Sequence, residues 1–148
     1  MTKEVFVRLN GMQFSSDADR PEPVEVISRG TYAKKNGKHY IVYEEAVDES
    51  NQMVKNTVKI YDNCYEVTKG GLIRTHLRFE KGKPHTSFYE TPYGSLVVRV
   101  STQEVSIEEK EEEINVRVSY ELEVNYEKLA NCCIDMSIQS KNDNSFTL

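Results

Sequence analysis

Residues 112–126 alternate without interruption. Ile114, Val116, Val118, Tyr120, Leu122, Val124 and Tyr126 fall on one side, and Glu113, Asn115, Arg117, Ser119, Glu121, Glu123 and Asn125 fall on the other. A helix repeats its apolar positions every three or four residues, so seven strict alternations exclude one and specify a long strand with one buried and one wet face. The same period recurs in Val5, Val7 and Leu9; in Val54, Val58 and Ile60; in Ile73, Thr75, Leu77 and Phe79; and in Cys132, Ile134, Met136 and Ile138. Leu96, Val98 and Val100 share one parity, whereas Val105 and Ile107 carry the other. One extra residue near Ser101–Glu104 restores the pattern, which predicts a β-bulge there.

Turn chemistry divides these runs. Asn36-Gly37, between Tyr32 and Tyr40, has the two residue types that accept the positive φ angles of a tight hairpin. Gly70-Gly71, Lys81-Gly82-Lys83-Pro84 and Pro92-Tyr93-Gly94 separate further pairs, and the acidic stretch Glu108–Glu113 falls where a hairpin tip belongs. Residues 14–23 and 48–52 read as irregular or polar loops, and the tail from Lys141 reads as frayed. The one helix-like piece is a single turn over Tyr126–Asn131. No internal repeat is visible. Long strands joined consecutively as hairpins predict, over residues 1–148, one all-β domain: a single antiparallel up-and-down β-barrel of about eight strands. A β-sandwich is the competing architecture, with shorter strands and crossing connections.

Charge and composition narrow the function classes. Nineteen Lys and Arg against 24 Asp and Glu give a net charge of −5, which argues against a phosphate-backbone binder, so no nucleic acid partner is expected. No apolar run approaches the length of a membrane span, and Met1-Thr-Lys-Glu-Val-Phe-Val-Arg lacks the apolar stretch of a secretory signal. Three cysteines, two of them adjacent at Cys132 and Cys133, suit reduced thiols. These features predict a cytoplasmic protein with no membrane partner.

Catalytic signatures are sparse. His39, His76 and His85 show no metal-ligand spacing, there is no GxSxG elbow, and Lys69-Gly70-Gly71-Leu72 is a hairpin turn rather than a phosphate cradle. No cofactor or metal is expected. The adjacent carboxylates Glu44 and Glu45 point to opposite faces of a strand, so one of them turns inward. Of the two inward sets, Ile41, Tyr43, Glu45 is favoured over Tyr40, Val42, Glu44. An inward carboxylate needs a donor, which makes Glu45 either a structural hydrogen-bond partner or a ligand anchor. His85, Ser87, Tyr89 and Thr91 share a polar face, a hydrogen-bonding stripe if it faces inward and ordinary surface if it does not.

Several runs resemble a known family. Gly30-Thr31-Tyr32, the stretch from Asn36-Gly37 to Glu44-Glu45, Thr57-Val58-Lys59-Ile60, Phe79 to His85, and Thr91-Pro92-Tyr93-Gly94 are similar to the bacterial YwiB-like family, over about Val5 to Gln139. The resemblance implies a calycin-like, lipocalin-like barrel and, the family being uncharacterised, supplies no catalytic or binding residue. A lipocalin proper has Gly-x-Trp near its first strand; here Gly11-Met12-Gln13 stands at the comparable place and tryptophan is absent.

The leading expectation is a non-catalytic module that binds a small, partly apolar ligand at the open end of the barrel, with Tyr43, Glu45, His85 and Tyr89 as wall or rim contacts. A cavity filled by side chains would remove it. The second reading is a protein-interaction module with a filled core, which calls for an exposed apolar patch or a homodimer. The third is an enzyme in which His85 and a buried glutamate form an acid–base pair.

Overall fold

The computed structural model describes residues 1–12, 24–46, 53–70, 74–91 and 94–141. The expected loops at 14–23 and 48–52, most of the frayed tail, and parts of the turns at Gly70-Gly71 and Pro92-Tyr93-Gly94 lie outside the described residues. Ten strands are present among the described residues, rather than about eight: β1 (Glu4–Met12), β2 (Val24–Lys35), β3 (Lys38–Ala46), β4 (Met53–Tyr61), β5 (Cys64–Gly70), β6 (Thr75–Glu80), β7 (Pro84–Thr91), β8 (Gly94–Glu109), β9 (Glu113–Val124) and β10 (Glu127–Ser140). They form one antiparallel sheet in the order β6-β5-β4-β3-β2-β1-β10-β9-β8-β7. Each strand therefore lies beside its neighbour in sequence, and β1 pairs with β10, from Val5 opposite Ser140 to Met12 opposite Cys133. The result is an all-β, nearly closed barrel whose seam falls mid-chain, between β6 and β7.

Two hairpins account for the extra strands and for one correction. Asp62 and Asn63 both take positive φ (42° and 58°) and turn β4 into β5, a tight turn made without glycine. Asn125 and Tyr126 do the same (50° and 71°) between β9 and β10. The expected helical turn over Tyr126–Asn131 is therefore a hairpin followed by strand. Asparagine tolerates the left-handed region well enough to form such turns. The Asn36-Gly37 hairpin is present at φ 54° and 76°, and the bulge appears as a register shift between Thr102 and Glu104.

Alternation fills the interior. Val5, Val7, Ile41, Val58, Ile60, Val100, Val105, Ile114, Val116, Val118, Met136 and Ile138 are buried in one cluster with Tyr43, Tyr65, Val67 and Phe79. The Phe79 ring packs against Tyr120 (centroids 4.7 Å apart) and Tyr65 (5.8 Å), bridging the core. Where β2 crosses β3, only glycine fits: a Cβ on Gly30 would lie 2.8 Å from the Val42 carbonyl oxygen and 3.3 Å from both Tyr43 Cβ and Val7 Cγ2. Gly30→Ala is therefore expected to cost about 1–3 kcal/mol through overpacking. Urea denaturation checks this; an unchanged midpoint would mean that β2 and β3 can separate freely.

The two ends of the barrel differ. At one end sit the tight turns at 36–37, 62–63 and 81–82. This end is plugged by His39, whose Nδ1 lies 2.7 Å from the Tyr32 hydroxyl and whose Nε2 lies 3.4 Å from Glu109. The amino terminus adds to the plug, since the Met1 ammonium donates to the Glu111 carbonyl and the Thr2 amide to Ser140 Oγ at 3.0 Å. At the other end β3, β5 and β7 finish and β4, β6 and β8 begin. Among the described residues no helix is long and apolar enough to cross a membrane.

Candidate functional site

Cross-strand register assembles a polar ring at this second end. Tyr43 on β3 stands opposite Asn56 on β4, Asn56 opposite Lys69 on β5, and Lys69 opposite Thr75 on β6. Directly opposite residues of an antiparallel sheet share a face. All four therefore lie on the face of Ile41, Val58, Val67 and Phe79, the inner one. Glu45 follows Tyr43 on that face, and Lys69 Nζ donates to Glu45 Oε1 at 2.9 Å across the mouth. The favoured inward set Ile41, Tyr43, Glu45 is the one the structure adopts, and the donor that Glu45 requires is a lysine.

Below this ion pair the tyrosine hydroxyls converge. Burial pushes the Tyr43 hydroxyl up from its usual pKa, with the Glu45 carboxylate adding to the effect. Burial raises Tyr65 strongly as well, and its hydroxyl feels those of Tyr43 and Tyr120. Tyr89 is raised by burial against a hydrogen bond with Thr75, and its hydroxyl is felt in turn by Tyr120. All four therefore stay protonated and neutral at physiological pH, as hydroxyl donors and acceptors set in apolar rings.

Asn56 sits in the middle of this ring. Its side chain is fully buried (0% exposed), and neither Oδ1 nor Nδ2 has a hydrogen-bond partner. A primary amide offers two donors and two acceptor lone pairs, and leaving such a group buried and unpaired costs about 1–3 kcal/mol. Periodicity did carry a signal for it: Asn56 interrupts the inward series Val54, Val58, Ile60, as Lys69 interrupts Tyr65, Val67.

Three of the four expected contacts, Tyr43, Glu45 and Tyr89, thus meet at the mouth. The fourth, His85, does not join them. Strand β7 is bridged to β6 by Glu80 and Lys83 at the hairpin, and beyond that point no ladder joins the two strands among the described residues. Instead β7 laps over its neighbour. His85 and Ser87 stand opposite the inward residues Val100 and Val98 of β8, yet they meet the outward side of β6. There the His85 ring packs edge-on against His76, centroids 5.4 Å apart. Burial lowers the His85 pKa, and His76 and Arg78 lower it further, against an upward pull from Glu66. The carboxylate that His85 faces is thus Glu66, while Glu45 is engaged by Lys69, so the two do not form the acid–base pair that the enzymatic reading needs.

Among the described residues no three His, Cys, Asp or Glu side chains are grouped so as to hold a metal ion. The three cysteines are free thiols, with Cys64 and Cys132 buried and Cys133 partly so.

Comparison with known proteins places this architecture. The family model described as "Domain of unknown function (DUF1934)" matches residues 7–136. The uncharacterized beta-barrel protein YwiB of Bacillus subtilis (strain 168) is 26% identical over 128 residues, which cover 86% of this chain and 89% of that protein. The crystal structure of the ywiB protein from Bacillus subtilis superposes with a TM-score of 0.79 at 19% identity, covering 95% of this chain and 93% of that one. With a match that spans most of its strands and a barrel of the same form, the chain belongs to the DUF1934, or YwiB-like, family.

Proposed function

We propose that the barrel is a non-catalytic binding module which takes the polar end of a small, partly apolar ligand at its mouth, between the Glu45–Lys69 pair and the floor formed by Tyr65, Phe79 and Tyr120. The observation that carries this reading is the buried, unpartnered amide of Asn56. A group able to both donate and accept, such as a carboxamide, a carboxylic acid or a hydroxyl beside a carbonyl, would satisfy it. Tyr43 and Tyr89 would add hydroxyls, and the tyrosine rings would take the apolar remainder. The buried cluster beneath the mouth favours a ligand near the rim over a deep cargo cavity. The same cluster suits the alternative of a protein-interaction module, for which Phe88, 69% exposed and opposite Val97, and Tyr126, 83% exposed, are candidate surface contacts.

Native mass spectrometry of freshly purified protein tests the proposal. The expected spectrum contains a second species, heavier by the mass of one small organic molecule, which collapses to the bare chain on mild activation. A bare chain only, combined with no stabilisation by any member of a small-molecule library in thermal shift, would sink it.

A further inference from the structure

The lap of β7 over β6 creates a second site on the outer face, which borders the mouth at Thr75. Lys55 and Thr57 of β4, Thr68 of β5, Arg74 and His76 at the start of β6, and Ser87 of β7 line a cleft of about 540 Å³. Its lining carries two permanent cations, an imidazole and hydroxyls, and no carboxylate. Several other strand cations of the outer face meet acids: Lys59 meets Glu66 at 4.0 Å, Arg78 meets Glu80 at 2.8 Å, and Arg117 meets Asp135 at 2.7 Å. Glu44 of β3 stands across the ladder from Lys55, but among the described residues neither Lys55 nor Arg74 has a carboxylate within salt-bridge distance. On a chain of net charge −5, two cations without a salt-bridge partner, lining one cleft with hydroxyl donors, form a local anion site rather than part of a basic surface.

The acid that contacts the lining, Glu66, is committed to His76. Burial works to raise the Glu66 carboxyl, but hydrogen bonds from Tyr61 and His76 and the charges of His76 and Lys59 outweigh it and hold the group below the usual carboxylate range. Its bond to His76 Nε2, at 3.1 Å, fixes the imidazole at the wall of the cleft. His85 packs edge-on behind His76, and Arg78 adds positive charge on the same side.

We propose that this seam cleft binds a phosphate group, free or as a monoester. The guanidinium of Arg74 offers the planar fork that matches phosphate oxygens, Lys55 a compact charge, and Thr57, Thr68 and Ser87 hydroxyl donors for the remaining lone pairs. The cleft is larger than one phosphate group and open to solvent, which leaves room for a monoester's organic part to extend along it.

Titration of the full chain with inorganic phosphate, ribose 5-phosphate and ribose at constant ionic strength, followed by amide chemical shifts, tests the assignment. Saturable shifts at Thr57, Thr68, His76 and Ser87 are expected with the two phosphates and none with ribose. Arg74→Gln and Lys55→Gln are expected to weaken binding about tenfold or more each, as loss of a charge-assisted contact should, with unchanged circular dichroism because both side chains are exposed. Tighter binding of ribose 5-phosphate assigns the site to a phosphorylated metabolite, and equal binding assigns it to free phosphate. Shifts that do not saturate, or that persist unchanged in Arg74→Gln, overturn it. Failure here leaves the mouth untouched, since Asn56 and Tyr43 lie on the opposite face of the sheet.

Discussion

Asn56→Leu is expected to make the protein more stable while removing its capacity to bind at the mouth. Leucine keeps the branched outline of asparagine and exchanges two unpaired polar atoms for methyl groups in a position with no exposed surface. Relief of the unpaired amide is worth about 1–3 kcal/mol, and a β-strand favours an apolar side chain over asparagine at a core-facing position. For a chain of this size each kcal/mol moves the melting temperature by about 2–4 °C, so a rise of several degrees is the expected result of a thermal melt. A residue that destabilises its own fold yet stands at the centre of a polar ring is what a binding site held against stability looks like. Asn56→Ala serves as a companion without added bulk: it also relieves the amide, but leaves a small void and gains less. If both variants lose stability, the amide is satisfied in the folded protein, and the mouth has no unmet group for a ligand to fill.

Phe79→Ala is expected to have the opposite and larger effect. Phe79 is 1% exposed and holds Tyr65 and Tyr120 by ring contacts on either side, so it forms the floor of the mouth as well as the middle of the core. Truncating a buried phenylalanine costs about 3–5 kcal/mol, a large share of the roughly 5–15 kcal/mol by which a domain is stable. The melting temperature should fall by about 10 °C or more. Chemical denaturation should show the loss in the midpoint, and a loss below about 1 kcal/mol would contradict the packed floor. The two variants together separate the roles at this end of the barrel: one side chain gives stability and the other gives it up.

Much of this was legible from alternation and turn chemistry. The inward set Ile41, Tyr43, Glu45 and the bulge at 101–104 followed from parity alone, because the pleat of a strand fixes which face each residue takes. The hairpin at Asn36-Gly37 followed from residue type. The turns at Asp62-Asn63 and Asn125-Tyr126 did not, since neither contains glycine and the left-handed tolerance of asparagine is a weaker signal. Asn56 and Lys69 were visible only as breaks in an apolar series, and a break says nothing about what stands across the sheet from it.

The amino-acid sequence by itself determined that the chain is all-β, that its strands follow one another as hairpins, and which side chains face the core. These are local properties, set by the period of two along an extended backbone. Only the tertiary structure decided that β1 closes on β10, that one end is plugged by His39 and the other ringed by Tyr43, Asn56 and Lys69, and that β7 laps over β6 and takes His85 away from Glu45. Closure depends on the register and twist accumulated over ten strands, and no residue or neighbouring pair records that sum.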